Sequence, residues 1–134
     1  MSNIRNNERV NYFSEPLALA LWNKLSGIEF PTFSDTKAIE LSPHFRFYKY
    51  FRGHKFNMHK DGKQKIKENE TRLTLLIYLN DDYTGGDTLF RTDNISINPV
   101  TGTALCFEHH EWHKGSVVTS GVKYVLRTDI VYSC

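Results

Sequence analysis

The chain has 134 residues and a mass of 15.6 kDa, room for one compact domain and not for a second of ordinary size. Hydrophobic residues at 40%, aromatic residues at 13% and charged residues at 24% exclude a globally disordered or collagen-like chain. Seventeen basic against 15 acidic residues give a net charge of +2, too balanced for nucleic acid or an anionic membrane to be the main partner.

The opening residues MSNIRNNERVNYF carry no apolar run of secretory length, and no stretch approaches the ~20 apolar residues that span a bilayer. Cys106 and Cys134 have no CxxC spacing, so the expectation is reduced thiols in a cytoplasmic protein. Ser14-Glu15-Pro16 reads as a helix start, with Ser as N-cap and Pro in the first turn, and Leu17, Leu21 and Leu25 recur at a spacing that buries one face. The helical part spans about residues 14–26. Residues 32–43 have little periodicity and read as loop.

Beyond that point the chain turns to short β-branched and aromatic runs bounded by Gly, Asn, Asp and Pro. They predict strands at 45–51, 73–79, 87–90, 95–97, 104–107, 116–118 and 122–132, joined as antiparallel hairpins through GHK, DDYTGGD and NPVTG turns. One helix followed by seven strands predicts a mainly β fold, a barrel or jelly roll with its core over about 45–132, in a single domain covering 1–134. The segment His59 to Arg72 is highly charged with little apolar content and reads as a mobile loop.

The chemistry is concentrated in the six histidines. His59 and Asp61 are two apart, and on extended backbone such residues point to one face, so an imidazole and a carboxylate can converge on one ion. A pair this short also recurs by chance, as a surface His beside a loop Asp. A second histidine from a distant strand would complete the two-His, one-carboxylate set of non-haem Fe(II), which leaves coordination positions open. His109, His110 and His113 in EHHEWHKG are the candidates, and spacing does not choose among them.

Three blocks, RFYKYFRGHKFNMHKDG, RLTLLIYLNDDYTGGDTLF and NPVTGTALCFEHHEWHKGSVVTSGVKYVLRTDIVY, together resemble the prolyl 4-hydroxylase-like branch of the Fe(II)/2-oxoglutarate dioxygenases over about residues 45–132. The shared elements are HxD, YLN before GG-x-T-x-F, P-x-x-G before an apolar strand, and H-x-G before G-x-K-Y. The resemblance implies a double-stranded β-helix, a jelly roll of the cupin kind. It places the iron ligands on His59, Asp61 and His113, the last because His113-Lys114-Gly115 matches H-x-G, and leaves His109 and His110 as structural or entrance residues. It also implies that Lys123, ten residues after His113, binds the far carboxylate of 2-oxoglutarate, with Tyr50 donating its hydroxyl and Tyr78 assisting.

Arg127 shares parity with Lys123 and is the second candidate cation, set against a same-face pair with Asp129. Thr88 in GGDT is a candidate pocket residue, and Trp112 a half-buried neighbour of the proposed ligand.

The implied cofactors are Fe(II), 2-oxoglutarate and dioxygen, and the implied reaction is hydroxylation of a prolyl residue in a peptide or protein, or of a small molecule such as a free amino acid, with 2-oxoglutarate decarboxylated to succinate. Because Asp61 fills the position a halide would need, hydroxylation is expected over halogenation. Two other readings stand beside this one: a non-catalytic metal-binding cupin-like module, and a structural sandwich with chance His and Asp. A cation and a tyrosine opposite the ion suit a dicarboxylate cosubstrate and have no evident use in a metal sensor.

Overall fold

The structure is a computed structural model that describes residues 7–98 and 100–133. Cys134 lies outside the described residues.

The helix forms where the sequence placed it. α1 (Glu15–Lys24) is capped by Ser14, whose side-chain oxygen accepts from the Leu17 amide, and Pro16 occupies the first turn. Ala18 is its buried residue, and Leu17, Leu21, Trp22 and Leu25 pack partly buried around it.

The strands are β1 (Glu8–Phe13), β2 (Ala38–Leu41), β3 (His44–Tyr50), β4 (Phe56–His59), β5 (Lys65–Ile66), β6 (Asn69–Tyr78), β7 (Thr84–Gly85), β8 (Thr88–Phe90), β9 (Ile95–Ile97), β10 (Ala104–Glu108), β11 (His113–Gly115), β12 (Val118–Ser120) and β13 (Lys123–Tyr132). A seven-stranded sheet runs β1-β3-β13-β6-β10, with β2 also on β13 and β5 on β6. A four-stranded sheet, β4-β11-β8-β9, faces it, and β7 and β12 form a small ladder. Every pair is antiparallel, as expected, but few partners are sequence neighbours. The chain passes repeatedly from one sheet to the other, the arrangement of a double-stranded β-helix. Among the described residues no helix is long and apolar enough to cross a membrane.

Alternation along the long strands divides the large sheet into two faces. Phe45 of β3, Leu73 and Leu75 of β6, and Leu126, Ile130 and Tyr132 of β13 form one core with Ala18 and Leu41, under the helix. Tyr48, Tyr50, Tyr78, Val118 and Val125 form a second core, packed by Phe56, Leu76 and Leu105 between the sheets. At roughly 1.5–3 kcal/mol for each large apolar side chain fully buried, these clusters supply the main driving force for the fold.

Four expectations need correction. Residues 38–41 are strand β2, not loop: Leu41 is buried and Ile130 lies opposite it, but four residues are too few to show a period. β1 was not expected because every residue of it is exposed; it joins the edge through the β3 backbone and carries no burial pattern. The charged segment 59–72 is not all loop, since β5 and the start of β6 form a hairpin there and Thr71 is fully buried. The strand expected at 116–118 is displaced into two short ones, β11 and β12, on either side of it.

Candidate metal and cosubstrate site

His59 ends β4, Asp61 follows two residues later, and His113 opens β11. The β4–β11 register sets His113 directly opposite His59. Cross-strand partners in an antiparallel pair point to the same side, so the two imidazoles lie together, with ring centroids 4.3 Å apart. Asp61 Oδ1 is 3.4 Å from His59 Nε2, and its Oδ2 is 3.6 Å from His113 Nε2. One donor atom from each of the three lies within 4.8 Å of the others.

Both rings present the nitrogen a metal needs. His59 Nδ1 donates to the Asn57 carbonyl at 2.6 Å and His113 Nδ1 to the Glu111 carbonyl at 2.9 Å, which leaves each Nε2 lone pair free. Phe56 stacks on His59 at 3.9 Å, and Phe107 meets His113 edge-on at 4.6 Å, fixing the ring planes. Burial pushes the His113 pKa down despite Asp61, favouring the neutral ligand form. Burial alone would raise the Asp61 pKa, but the neighbouring His59, the charge of Arg127 and the Thr74 hydroxyl outweigh that and hold the carboxyl well below its usual range. Two Nε2 atoms and an ionised carboxylate suit a divalent cation with open coordination positions.

The inner face of the large sheet forms the other wall. Lys123 pairs across strands with Tyr50, Val125 with Tyr48 and Tyr78, Arg127 with Arg46 and Leu76, and Asp129 with Thr74. One cavity is lined by His59, Asp61 and His113 together with Tyr50, Tyr78 and Lys123.

Lys123 is 2% exposed; its ammonium donates to the Gly86 carbonyl at 2.7 Å and sits 4.6 Å from the centre of the Tyr50 ring. Burial lowers its pKa to about 8. Gly86 is needed there: its φ is +73°, and a Cβ would come within 2.9 Å of the Tyr83 ring and 3.2 Å of Lys123 Cδ. Tyr78 bonds through its hydroxyl to Thr88, which also lines the cavity.

Arg127 lines the same cavity, but its guanidinium is engaged on two sides. Nη2 reaches Asp129 Oδ1 at 3.0 Å and Nη1 reaches Asp61 Oδ1 at 3.4 Å. Arg46 closes the chain on Asp129 Oδ2 at 3.3 Å. The same-face pair of Arg127 with Asp129 is thus present, extended to the metal-facing carboxylate.

The remaining histidines separate cleanly. His110 is exposed, 3.8 Å from Glu108, whereas His109 is buried between Thr71 and Thr74. Trp112 is half-buried, with Lys60 Nζ 5.3 Å and Arg91 Cζ 4.7 Å from its ring centre. Sequence reasoning missed Thr74, whose hydroxyl donates to Asp61 Oδ2 at 2.7 Å. The available signal was parity: Thr74 shares a face of β6 with Leu76 and Tyr78. For Arg46 and Gly86 the only signal was a charge in an aromatic run and the second glycine of GGDT.

Comparison with known proteins agrees with this geometry. The family model described as the 2OG-Fe(II) oxygenase superfamily matches residues 45–128. No curated protein sequence matches the chain. Among solved structures, the viral collagen prolyl hydroxylase of Paramecium bursaria Chlorella virus-1, in complex with 2-oxoglutarate, aligns with a TM-score of 0.69 and 19% identity over 95% of this chain and 79% of that one. A Pseudomonas putida prolyl-4-hydroxylase aligns at 0.68 and 15% identity over 96% and 73%. A Trichoplax adhaerens prolyl hydroxylase, solved with a hypoxia inducible factor peptide fragment, aligns at 0.73 and 14% identity over 97% of this chain and 64% of that one. At these identities the likeness establishes the fold. The family match covers well over half of the chain and meets the triad in place, so the chain belongs to the 2OG-Fe(II) oxygenase superfamily, the oxygenases that work with Fe(II), 2-oxoglutarate and dioxygen.

Proposed function

We propose that the chain hydroxylates a prolyl residue of a peptide or protein, holding Fe(II) on His59, Asp61 and His113 and the far carboxylate of 2-oxoglutarate on Lys123. The observation that carries this reading is a buried lysine and a two-His, one-carboxylate set lining one cavity. A buried ammonium costs free energy unless an anion joins it, and a dicarboxylate chelated at the triad would bring its second carboxylate to that wall. When bound, the iron supplies the coupling of 2-oxoglutarate decarboxylation to substrate oxygenation, dioxygen giving one oxygen atom to succinate and the other to the hydroxylated product.

The chain's own residues do the rest. His59 and His113 offer neutral Nε2 atoms, with Nδ1–H tied to backbone carbonyls. Arg127 and Thr74 hold Asp61 ionised and turned toward the histidines. The Tyr50 ring faces the Lys123 ammonium and its hydroxyl serves the same carboxylate; Tyr78 and Thr88 close the wall behind it. Phe90 and Phe107 pack against His113 and screen the metal side from water. The prolyl assignment is supported by the fold shared with the prolyl hydroxylases above. A free amino acid is the competing small substrate. A non-catalytic metal module would leave the buried Lys123 facing the cavity without a use.

The test is an anaerobic titration of metal-free protein with Fe(II) and then 2-oxoglutarate, following the visible charge-transfer band of the chelate, with His113→Ala as control. A band in the wild type alone is the expected result, and mass spectrometry of products from proline-containing peptides and free amino acids then names the substrate. Iron bound without a band would favour the metal module.

A further inference from the structure

A row of buried hydrogen bonds runs from Asp61 away from the cavity. The Gln64 amide donates to Thr71 Oγ1 at 2.9 Å; Thr71 Oγ1 and His109 Nε2 are 2.8 Å apart; His109 Nδ1 and Thr74 Oγ1 are 2.8 Å apart; Thr74 Oγ1 donates to Asp61 Oδ2 at 2.7 Å. Thr71 and Thr74 are 0% exposed and His109 is 6% exposed.

For a neutral imidazole the direction of every proton in this row is determined. An ionised carboxylate only accepts, and a hydroxyl has one proton. The Thr74 proton therefore goes to Asp61, and Thr74 can bond His109 only by accepting from Nδ1–H. At the other end Thr71 accepts from Gln64 and gives its own proton to Nε2. The neutral Nδ1–H tautomer satisfies all four bonds. The Nε2–H tautomer would set the Nδ1 lone pair against the Thr74 oxygen, or turn the Thr74 proton away from Asp61.

We propose that His109 is a positioning residue for the metal-ligating carboxylate: as the Nδ1–H tautomer it keeps the Thr74 hydroxyl proton on Asp61 Oδ2, and so fixes the carboxylate plane toward His59 and His113. The terminal torsion of Asp is soft, so its plane needs such an outside constraint. The inference rests on reading His59, Asp61 and His113 as the iron site. His109 also touches this loop through its backbone, accepting from the Asp61 amide at 2.9 Å, and its amide donates to the Arg72 carbonyl at 3.0 Å. Those bonds survive a side-chain substitution, which therefore reads the imidazole alone.

The experiment measures Mn(II) affinity of the metal-free protein from the free-ion EPR signal. His109→Leu is expected to weaken Mn(II) binding about tenfold or more, the usual scale for loss of an outer-shell partner. His109→Asn, whose amide nitrogen takes the place of Nδ1 and can still donate to Thr74, is expected to stay within about threefold of wild type. Thr74→Val should match His109→Leu, and the double variant should lose no more than either alone.

A folded His109→Leu protein with wild-type Mn(II) affinity, or losses that add in the double variant, overturns the role of His109 while leaving the metal site standing. Wild-type protein that binds no Mn(II) overturns the metal site and the role together. If His109→Leu does not fold, the tautomer is read in wild-type metal-free protein by 15N–1H correlation of the imidazole. A protonated Nδ1 with bare Nε2 supports the proposal, and an Nε2–H tautomer overturns it.

Discussion

In the large sheet β6 and β13 run ten residues each and carry a helix-covered core on one face and the cavity wall on the other; β13 is buried at eight of its ten residues, and no residue of β6 is exposed. In the small sheet the strands are three or four residues long, and β9 at its edge is largely exposed. Yet His59 and His113 stand on the small sheet, while Lys123, Arg127 and Thr74 stand on the large one. The stable sheet thus supplies the fixed wall, with its buried cations and hydroxyls. The weaker sheet carries the two histidines that, in the proposed function, would hold a metal ion with Asp61.

That comparison can be broken or sharpened in order of expected effect. His113→Ala or Asp61→Ala should bring 2-oxoglutarate-coupled succinate formation to background while the fold persists, since Arg127 keeps its Asp129 partner when Asp61 is removed; full activity in one of them would remove that ligand. Asp129→Ala, in the large sheet, should cost about 3–5 kcal/mol in urea unfolding, since Arg46 and Arg127 would stay buried without their shared carboxylate. A cost near zero would mean that the wall is not held by this network.

Lys123→Ala should weaken 2-oxoglutarate binding by about 1.5–3 kcal/mol, or roughly 10- to 150-fold, the range for a hydrogen bond to a charged group, with Mn(II) affinity unchanged. Calorimetry reads both, and an unchanged cosubstrate affinity would transfer the role to Arg127. The same lysine sets a pH dependence. Burial lowers its pKa from 10.5 to about 8, so above pH 8 the cosubstrate-free protein increasingly holds the neutral amine. A carboxylate needs the charged form, so 2-oxoglutarate affinity should fall about tenfold per pH unit above 8, and Lys123→Arg should flatten the profile. A flat wild-type profile would count against Lys123 as anchor. The smallest effect is expected at the exposed edge of the small sheet, where Ile95→Ala should change stability by no more than about 0.5 kcal/mol. A loss as large as that of Asp129→Ala would erase the contrast between the sheets.

How much was legible follows from range. The Ser14 cap, the Leu17–Leu25 spacing and the alternation in YKYF, LTLLIY and KYVLRTD are local, so the helix, the strands and the shared face of Lys123 and Arg127 could be read from neighbouring residues, whereas Tyr50 and Tyr78 entered through the family resemblance. β1 and β2 could not, since their pairing depends on β3 and β13 far along the chain.

The sequence by itself determined a mainly β fold, the HxD pair and, through the spacing of H-x-G and its following lysine, the family resemblance. Only the tertiary structure decided how these parts meet. The β4–β11 register sets His113 against His59, and the β10–β6 pairing sends His109 to Thr71 and Thr74. The β13 pairings bring Arg127 to Asp61 and Arg46 to Asp129 and leave Lys123 over the Tyr50 ring. The physical reason is that residue type and spacing fix what a side chain can donate or accept, whereas strand register fixes whom it can reach, and register is set by pairings between residues distant in sequence.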